Sequence, residues 1–398
     1  MRALFTVQPA LGHFHPLVPV AQALESEGHD VAFCSSASFR PEVERYGFEY
    51  FDGGLDWVAS DLTTWTAFPP MPPPPDPAFP GFVRTVFADI TTRAMAPDVL
   101  SIADAWRPDL IVREVMEWSG ALVAELLDLP HASVGGNAYS AVDSPEISYF
   151  PGNRLFAAEP YARHRTELGL PSDPGMEKPF QYLHLCFTPR EWDRPGLPAP
   201  ANTVYVRHTS VGRPDEALPA WVDRMPDRPT VYGALGTIAH ALPGVFEGIL
   251  EALRDEDVNL VLAVGRDVSA FGPQPRNVHL EPWIPQTHLL PLCDVFITHG
   301  GFNSVKEGLS VGVPLVVLPI MSDEPYSAER VDALGVGAAL GPAKRSPETI
   351  RQAVRALLDD AAYRTRAAAF RDQMLALPGP DRIVELLTSL TTERLPAR

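Results

Sequence analysis

The stretch Trp283–Glu324, WIPQTHLLPLCDVFITHGGFNSVKEGLSVGVPLVVLPIMSDE, carries the densest run of side chains suited to a polar ligand. His299, Gly300 and Gly301 end a short apolar run, and Asn303 and Ser304 open a helical pattern. The first N–H groups of a helix lack internal partners and carry partial positive charge, so a phosphate can sit there. Two glycines let the backbone approach such an anion closely. Ser304 adds a hydroxyl donor and His299 a ring N–H, which makes a phosphate site without a Walker lysine. Glu307, one turn along, can accept two hydroxyls, as from a ribose. Trp283 offers a flat face for a nucleobase. Asp323 and Glu324 follow the next apolar run and can accept from sugar hydroxyls. Alone, Trp283 would read as a core aromatic and His299 as a satisfied buried histidine; their company points to a ligand instead.

The elements that must position these residues alternate. Ala3–Val7 is an apolar run of strand length. Val18, Val20, Ala21 and Leu24 recur at helical spacing, Gly28 stops that helix, and Val31–Cys34 is a second strand. Strand, helix, strand is a βαβ unit and implies a parallel sheet. The unit recurs at Leu110–Val112, Leu122–Leu127 and His131–Val134, then at Thr230–Tyr232, Val245–Leu253 and Leu260–Val264, and again at Val295–Thr298, Ser304–Leu309 and Leu315–Leu318. Alternation on both sides of the midpoint predicts two doubly wound α/β domains, with ligands beyond the C-terminal ends of the strands. Three glycine-bearing turns fall there: Gln8–Pro16, Gly233–Thr237 and His299–Ser304.

Arg207–Trp221 is polar, with a glycine and two prolines, and reads as a linker between residues 1–206 and 222–378. Residues 379–398 hold a last helix, Arg382–Leu390. Pro69–Pro77 (PPMPPPPDP) cannot be helix or central strand and reads as a loop. Trp57, Trp65, Phe68, Phe79 and Phe82 flank it. A surface loop over core aromatics and the wall of an apolar acceptor cleft fit equally well; in the second case Trp57, Trp65, Phe68 and Phe82 contact the acceptor.

The 398 residues are 45% hydrophobic and 21% charged, enough for two buried cores. A net charge of −18 makes nucleic acid and anionic lipid poor partners. Cys34, Cys186 and Cys293 are odd in number and far apart, which supports neither a disulfide framework nor a zinc site. No apolar run of transmembrane length occurs and the N-terminal run is too short for a signal peptide, so a cytoplasmic protein is expected.

The Trp283–Glu324 segment resembles the donor-binding motif of family 1 glycosyltransferases of the GT-B fold, which include plant and actinomycete natural-product enzymes. The family pattern W-x-x-Q, H-x-G-x-N-S-x-x-E, G-V-P, P-x-x-x-D-Q is matched at Trp283 and Gln286, then His299, Gly301, Asn303, Ser304 and Glu307, then Gly312, Val313 and Pro314, then Pro319 and Asp323. Spacing from His299 to Asp323 agrees with the plant motif; Trp283 to His299 is two residues shorter. The resemblance implies two Rossmann-like domains facing a central cleft. It also implies that Trp283, with Ile284 beside it, stacks on the base and that Gln286 and Glu307 bind ribose. His299, Gly300, Gly301, Asn303 and Ser304 would hold the diphosphate, helped by Thr237 of GALGT, and Asp323 and Glu324 the sugar. The last position is usually Gln. Glu324, when ionised, accepts but does not donate.

The turn GHFHP, Gly12–Pro16, resembles the family's G-H-x-x-P element, whose histidine is the general base. That role falls on His13, with His15 as a rival at the same turn. A base of near-neutral pKa suits removal of a hydroxyl proton as the anomeric bond forms. Such a histidine usually needs an orienting carboxylate. Glu114, ending the strand in PDLIVREVMEW, is the candidate, and Glu117 the second choice. The resemblance further implies a metal-independent, inverting transfer without a cofactor. The donor would be dTDP-deoxysugar or UDP-glucose. The acceptor would be a hydrophobic polyketide, macrolide, enediyne or other aromatic. Acceptor identity, the linkage atom and a homodimer are left open. A nucleotide-sugar epimerase should lack GHxxP, and a non-catalytic helper of the same fold would not need His13.

Overall fold

The computed structural model describes residues 1–72, 76, 78–135, 154–197, 199–214, 216–236, 242–321 and 323–393. The chain divides into two compact units. One is Met1–Thr209 joined by the chain from Leu377 onward, the other Ser210–Ala376.

The first unit is built on seven parallel strands: β1 Arg2–Thr6, β2 Asp30–Ser35, β3 Glu49–Asp52, β4 Leu110–Glu114, β5 His131–Gly135, β6 Leu183–Cys186 and β7 Thr203–Tyr205. Their order is β3-β2-β1-β4-β5-β6-β7. Central strands covered on both faces read as unbroken apolar runs, as Ala3–Phe5 and Leu110–Val112 do. On one face Leu4, Ala32 and Ile111 pack with Met95, Val99 and Val123. The last helix, Pro380–Glu393, buries Ile383, Leu386, Leu387 and Leu390 and packs on the helix Val18–Ser26 of this unit.

Six parallel strands form the second unit: β8 Thr230–Ala234, β9 Asn259–Ala263, β10 Val278–Glu281, β11 Val295–Thr298, β12 Leu315–Val317 and β13 Gly337–Ala339, in the order β10-β9-β8-β11-β12-β13. Val231, Leu260, Leu262, Ile297 and Val316 face Phe246, Ile249 and Leu253 of one helix and Ile350, Val354 and Leu357 of another. In both sheets the chain order reverses beside the first strand, between β1 and β4 and between β8 and β11. Turns at such switch points are where doubly wound sheets hold ligands.

Among the elements not legible in the sequence is the long helical run after the proline-rich loop. Phe79 and Phe82, taken as flanks of a loop, are helical. An α-helix Phe79–Val83, a π-helical segment Arg84–Ile90 and an α-helix Thr91–Trp106 run on without a break. Among the described residues no helix is long and apolar enough to cross a membrane.

Candidate functional site

In the first unit, the turn after β1 closes into one helical turn, Leu11–Phe14, with His13 N and Phe14 N donating to the Ala10 carbonyl at 3.0 and 2.9 Å. Across the switch point β4 ends on buried Glu114. His13 Nδ1 lies 3.0 Å from Glu114 Oε1, and Glu114 Oε2 accepts from Met116 N at 2.7 Å. A carboxylate at Nδ1 favours the tautomer protonated there, which leaves the lone pair on Nε2. His15 turns the other way, with its Nε2 3.4 Å from the Tyr46 hydroxyl and its ring against Phe14 and Tyr46.

Glu117 has a different occupation. It accepts from Thr6 Oγ1 (2.5 Å), from both the amide (2.6 Å) and the hydroxyl of Ser119, and from Gly120 N (3.0 Å). It therefore ties β1 to the start of the helix Ser119–Leu126. Burial raises its pKa, an effect these hydrogen bonds oppose. Fully buried Arg113 fixes the same turn through the carbonyls of Glu114, Val115 and Glu117 at 3.2, 3.2 and 3.0 Å, and reaches Pro179 O at 2.7 Å. Burial lowers the pKa of its guanidinium.

The four aromatic residues expected at the acceptor form one cluster. Trp57 meets Trp65 and Phe68 edge-on, at centroid distances of 5.3 and 4.9 Å, and Trp65 stacks on Phe82 at 6.0 Å. Phe87, absent from the sequence reading, joins this cluster to His13. Its ring is 5.8 Å from Trp57 and 5.9 Å from His13.

In the second unit the helix Phe302–Ser310 starts after β11, with Gly301 as its N-cap and Asn303 and Ser304 in its first turn. Gly300 has φ +95°, a left-handed conformation that favours glycine. The His299 ring lies between two glycines: a Cβ on Gly236 would come within 2.7 Å of it, and one on Gly301 closer still. Burial depresses the pKa of His299 to about 4, an effect the Ala234 carbonyl opposes. Thr237 lies outside the described residues.

Gln286 and Glu307, expected to share a ribose, are joined directly: Gln286 Nε2 donates to Glu307 Oε2 at 2.6 Å. Tyr232 on β8 donates to Gln286 Oε1 at 3.2 Å and stacks on Phe296. Burial raises the pKa of Glu307, the Gln286 hydrogen bond opposing it. Trp283 remains 46% exposed. Its indole N–H donates to Glu216 at 2.8 Å, and the Arg213 guanidinium sits 4.4 Å from its ring centroid. Arg213 and Glu216 belong to the stretch read only as a linker. Ile284 is buried.

Both carboxylates assigned to the sugar are engaged by backbone. Asp323 Oδ2 accepts from Phe302 N at 3.0 Å. Glu324 Oε2 accepts from Ile320 N and Met321 N at 2.5 and 2.7 Å, while Oε1 lies 4.0 Å from His299 Nε2. Burial pushes the Glu324 carboxyl well above its usual range; the Met321 amide opposes this and the Asp323 charge adds to it.

Residues 247–390 match the family model described as "Erythromycin biosynthesis protein CIII-like, C-terminal domain". The chain is 29% identical to 4'-demethylrebeccamycin synthase of Lentzea aerocolonigenes, over 98% of this chain and 99% of that protein. It is 26% identical to the 3-alpha-mycarosylerythronolide B desosaminyl transferase of Saccharopolyspora erythraea, over 99% of each. The glycosyltransferase SnogD from Streptomyces nogalater superposes with a TM-score of 0.76 at 26% identity, over 98% of this chain and 99% of SnogD. On fold and full-length similarity together, the chain is a glycosyltransferase of the GT-B fold. Its homologues include actinomycete antibiotic glycosyltransferases.

Proposed function

We propose that this enzyme moves a sugar from a nucleoside-diphosphate sugar, a dTDP-deoxysugar or UDP-glucose, to a hydroxyl of a small hydrophobic natural product. His13 takes the acceptor proton on Nε2 while Glu114 holds Nδ1. The acceptor oxygen forms its bond to the anomeric carbon as the bond to the diphosphate breaks, with inversion. The imidazolium formed is stabilised by Glu114. The departing diphosphate gathers charge, which the N-terminus of the helix Phe302–Ser310 stabilises, so no metal is required. Trp283 stacks on the base, Gln286 and Glu307 take the ribose, and Asp323 and Glu324 lie toward the sugar. The Trp57, Trp65, Phe68 and Phe82 cluster receives the acceptor.

The observation that carries this reading is the His13–Glu114 pair at 3.0 Å, at the switch point of its sheet. The sugar named in the desosaminyl transferase relative favours a deoxysugar donor. A thermal-shift panel of dTDP- and UDP-sugars tests the donor half. A ligand at 100 times its Kd adds about 2.7 kcal/mol of apparent stability. A rise in Tm with one nucleotide series supports the reading, and no rise with any of them contradicts it.

A further inference from the structure

The helix that carries Phe87 departs from α geometry where it passes His13. Arg84–Ile90 is π-helical between two α segments. Such segments are rare and collect at functional sites. The Phe87 ring lies parallel to the His13 imidazole, with centroids 5.9 Å apart and planes within 5°. The Phe87 carbonyl accepts from Thr91 Oγ1 at 3.0 Å and from Thr92 Oγ1 at 3.1 Å. Thr91 Oγ1 in turn accepts from Gln8 Nε2 at 3.1 Å. The carbonyl of the same Gln8 accepts from Ala10 N at 2.7 Å, at the start of the turn that carries His13. Gln8 thus ties down both ring-bearing segments, one through its side chain and one through its main chain. On the far side Asp89 pairs with Arg93 at 3.0 Å and with Arg163 at 2.8 Å, pinning the π segment to the helix Arg154–Glu167.

We propose that Phe87 is a positioning residue for His13, held in place by the π-helical turn and the Gln8–Thr91 link. Glu114 meets the imidazole at one edge atom, Nδ1, 3.0 Å away. The Phe87 ring, parallel to the imidazole with centroids 5.9 Å apart, adds a second contact, and the two together set where Nε2 points. The proposal rests on His13 being the base.

The test compares the wild type with Phe87→Leu, which keeps an apolar side chain without a flat face, and Phe87→Tyr, which restores the face. The proteins are 13C-labelled at histidine, and the His13 signal is assigned by its loss in His13→Ala. The ring-proton signals of His13 should be shifted upfield by Phe87 in the wild type, relax in Phe87→Leu and return in Phe87→Tyr. With UDP-glucose or dTDP-glucose and a phenolic acceptor, kcat in Phe87→Leu should fall about tenfold at unchanged donor KM and recover in Phe87→Tyr, since small misplacements of catalytic groups cost this much or more. Unchanged His13 signals in Phe87→Leu, or equal losses of kcat in both variants, overturn the proposal. Full turnover by His13→Ala instead overturns the base assignment, while the histidine signals still decide whether Phe87 orients the ring.

Discussion

Gln286 donates its amide N–H to Glu307 across 2.6 Å and accepts from the Tyr232 hydroxyl at 3.2 Å. The carboxylate proposed to meet a ribose is therefore held in place before any ligand arrives. Removing it by Glu307→Ala should weaken nucleotide binding by roughly 10- to 100-fold, the range for hydrogen bonds to a charged group. Calorimetric titration with dTDP and UDP checks this; unchanged affinity for both would remove Glu307 from the donor site.

The two switch-point carboxylates of the first unit should separate by readout. Glu117 caps a helix and bonds to Thr6, so Glu117→Ala leaves buried donors unmet and should cost about 3 kcal/mol or more in denaturant unfolding. Glu114→Gln should cost little stability but lower kcat, because the imidazolium formed on His13 loses its counter-charge. An equal effect of the two substitutions on both measurements would contradict the division.

Much of the candidate donor site lies on one strand-turn-helix-strand stretch, where fixed spacing records geometry directly. Glu114 was legible as a charged end to an apolar strand. What escaped comes from elsewhere in the chain. Tyr232 reaches Gln286 from 54 residues away, and Glu216 reaches Trp283 from 67. The helix from Phe79 to Trp106 was hidden by the prolines before it, by Pro97 within it and by a π turn that breaks the 3.6-residue period. Phe87, on that turn, was lost with it.

Glu324 supplies a pH prediction. Its folded-state pKa is raised above the ordinary 4.5, mainly by burial. The folded state then binds more protons than the unfolded one, so the stability from this group is full below pH 4.5 and is lost as pH rises through the folded pKa. Glu324→Gln carries no such proton. Its stability relative to wild type should climb with pH above about 5, by at most about 1.4 kcal/mol per pH unit. Parallel Tm-against-pH curves for the two proteins would show that Glu324 does not titrate this way.

Trp283 is 46% exposed, and its ring faces Arg213. Trp283→Ala should leave Tm within a few degrees yet weaken nucleotide binding by about 1–3 kcal/mol, the scale of base–aromatic stacking. Arg213→Ala should cost less, about 0.5–1 kcal/mol, as expected of a partly solvated cation–π contact. Calorimetric titration orders the two, and a larger loss in Arg213→Ala would reverse the assignment of the stacking partner.

The central claim is sugar transfer with His13 as the base. The direct measurement incubates wild type and His13→Ala with a dTDP- or UDP-sugar that raises Tm in both, together with a panel of phenolic and polyketide acceptors. Mass spectrometry reads the glycoside. Wild type should yield an acceptor heavier by one sugar, while His13→Ala should bind the nucleotide equally well and lose about 100-fold or more in rate, as expected on losing a general base. Equal product from both proteins would contradict the account.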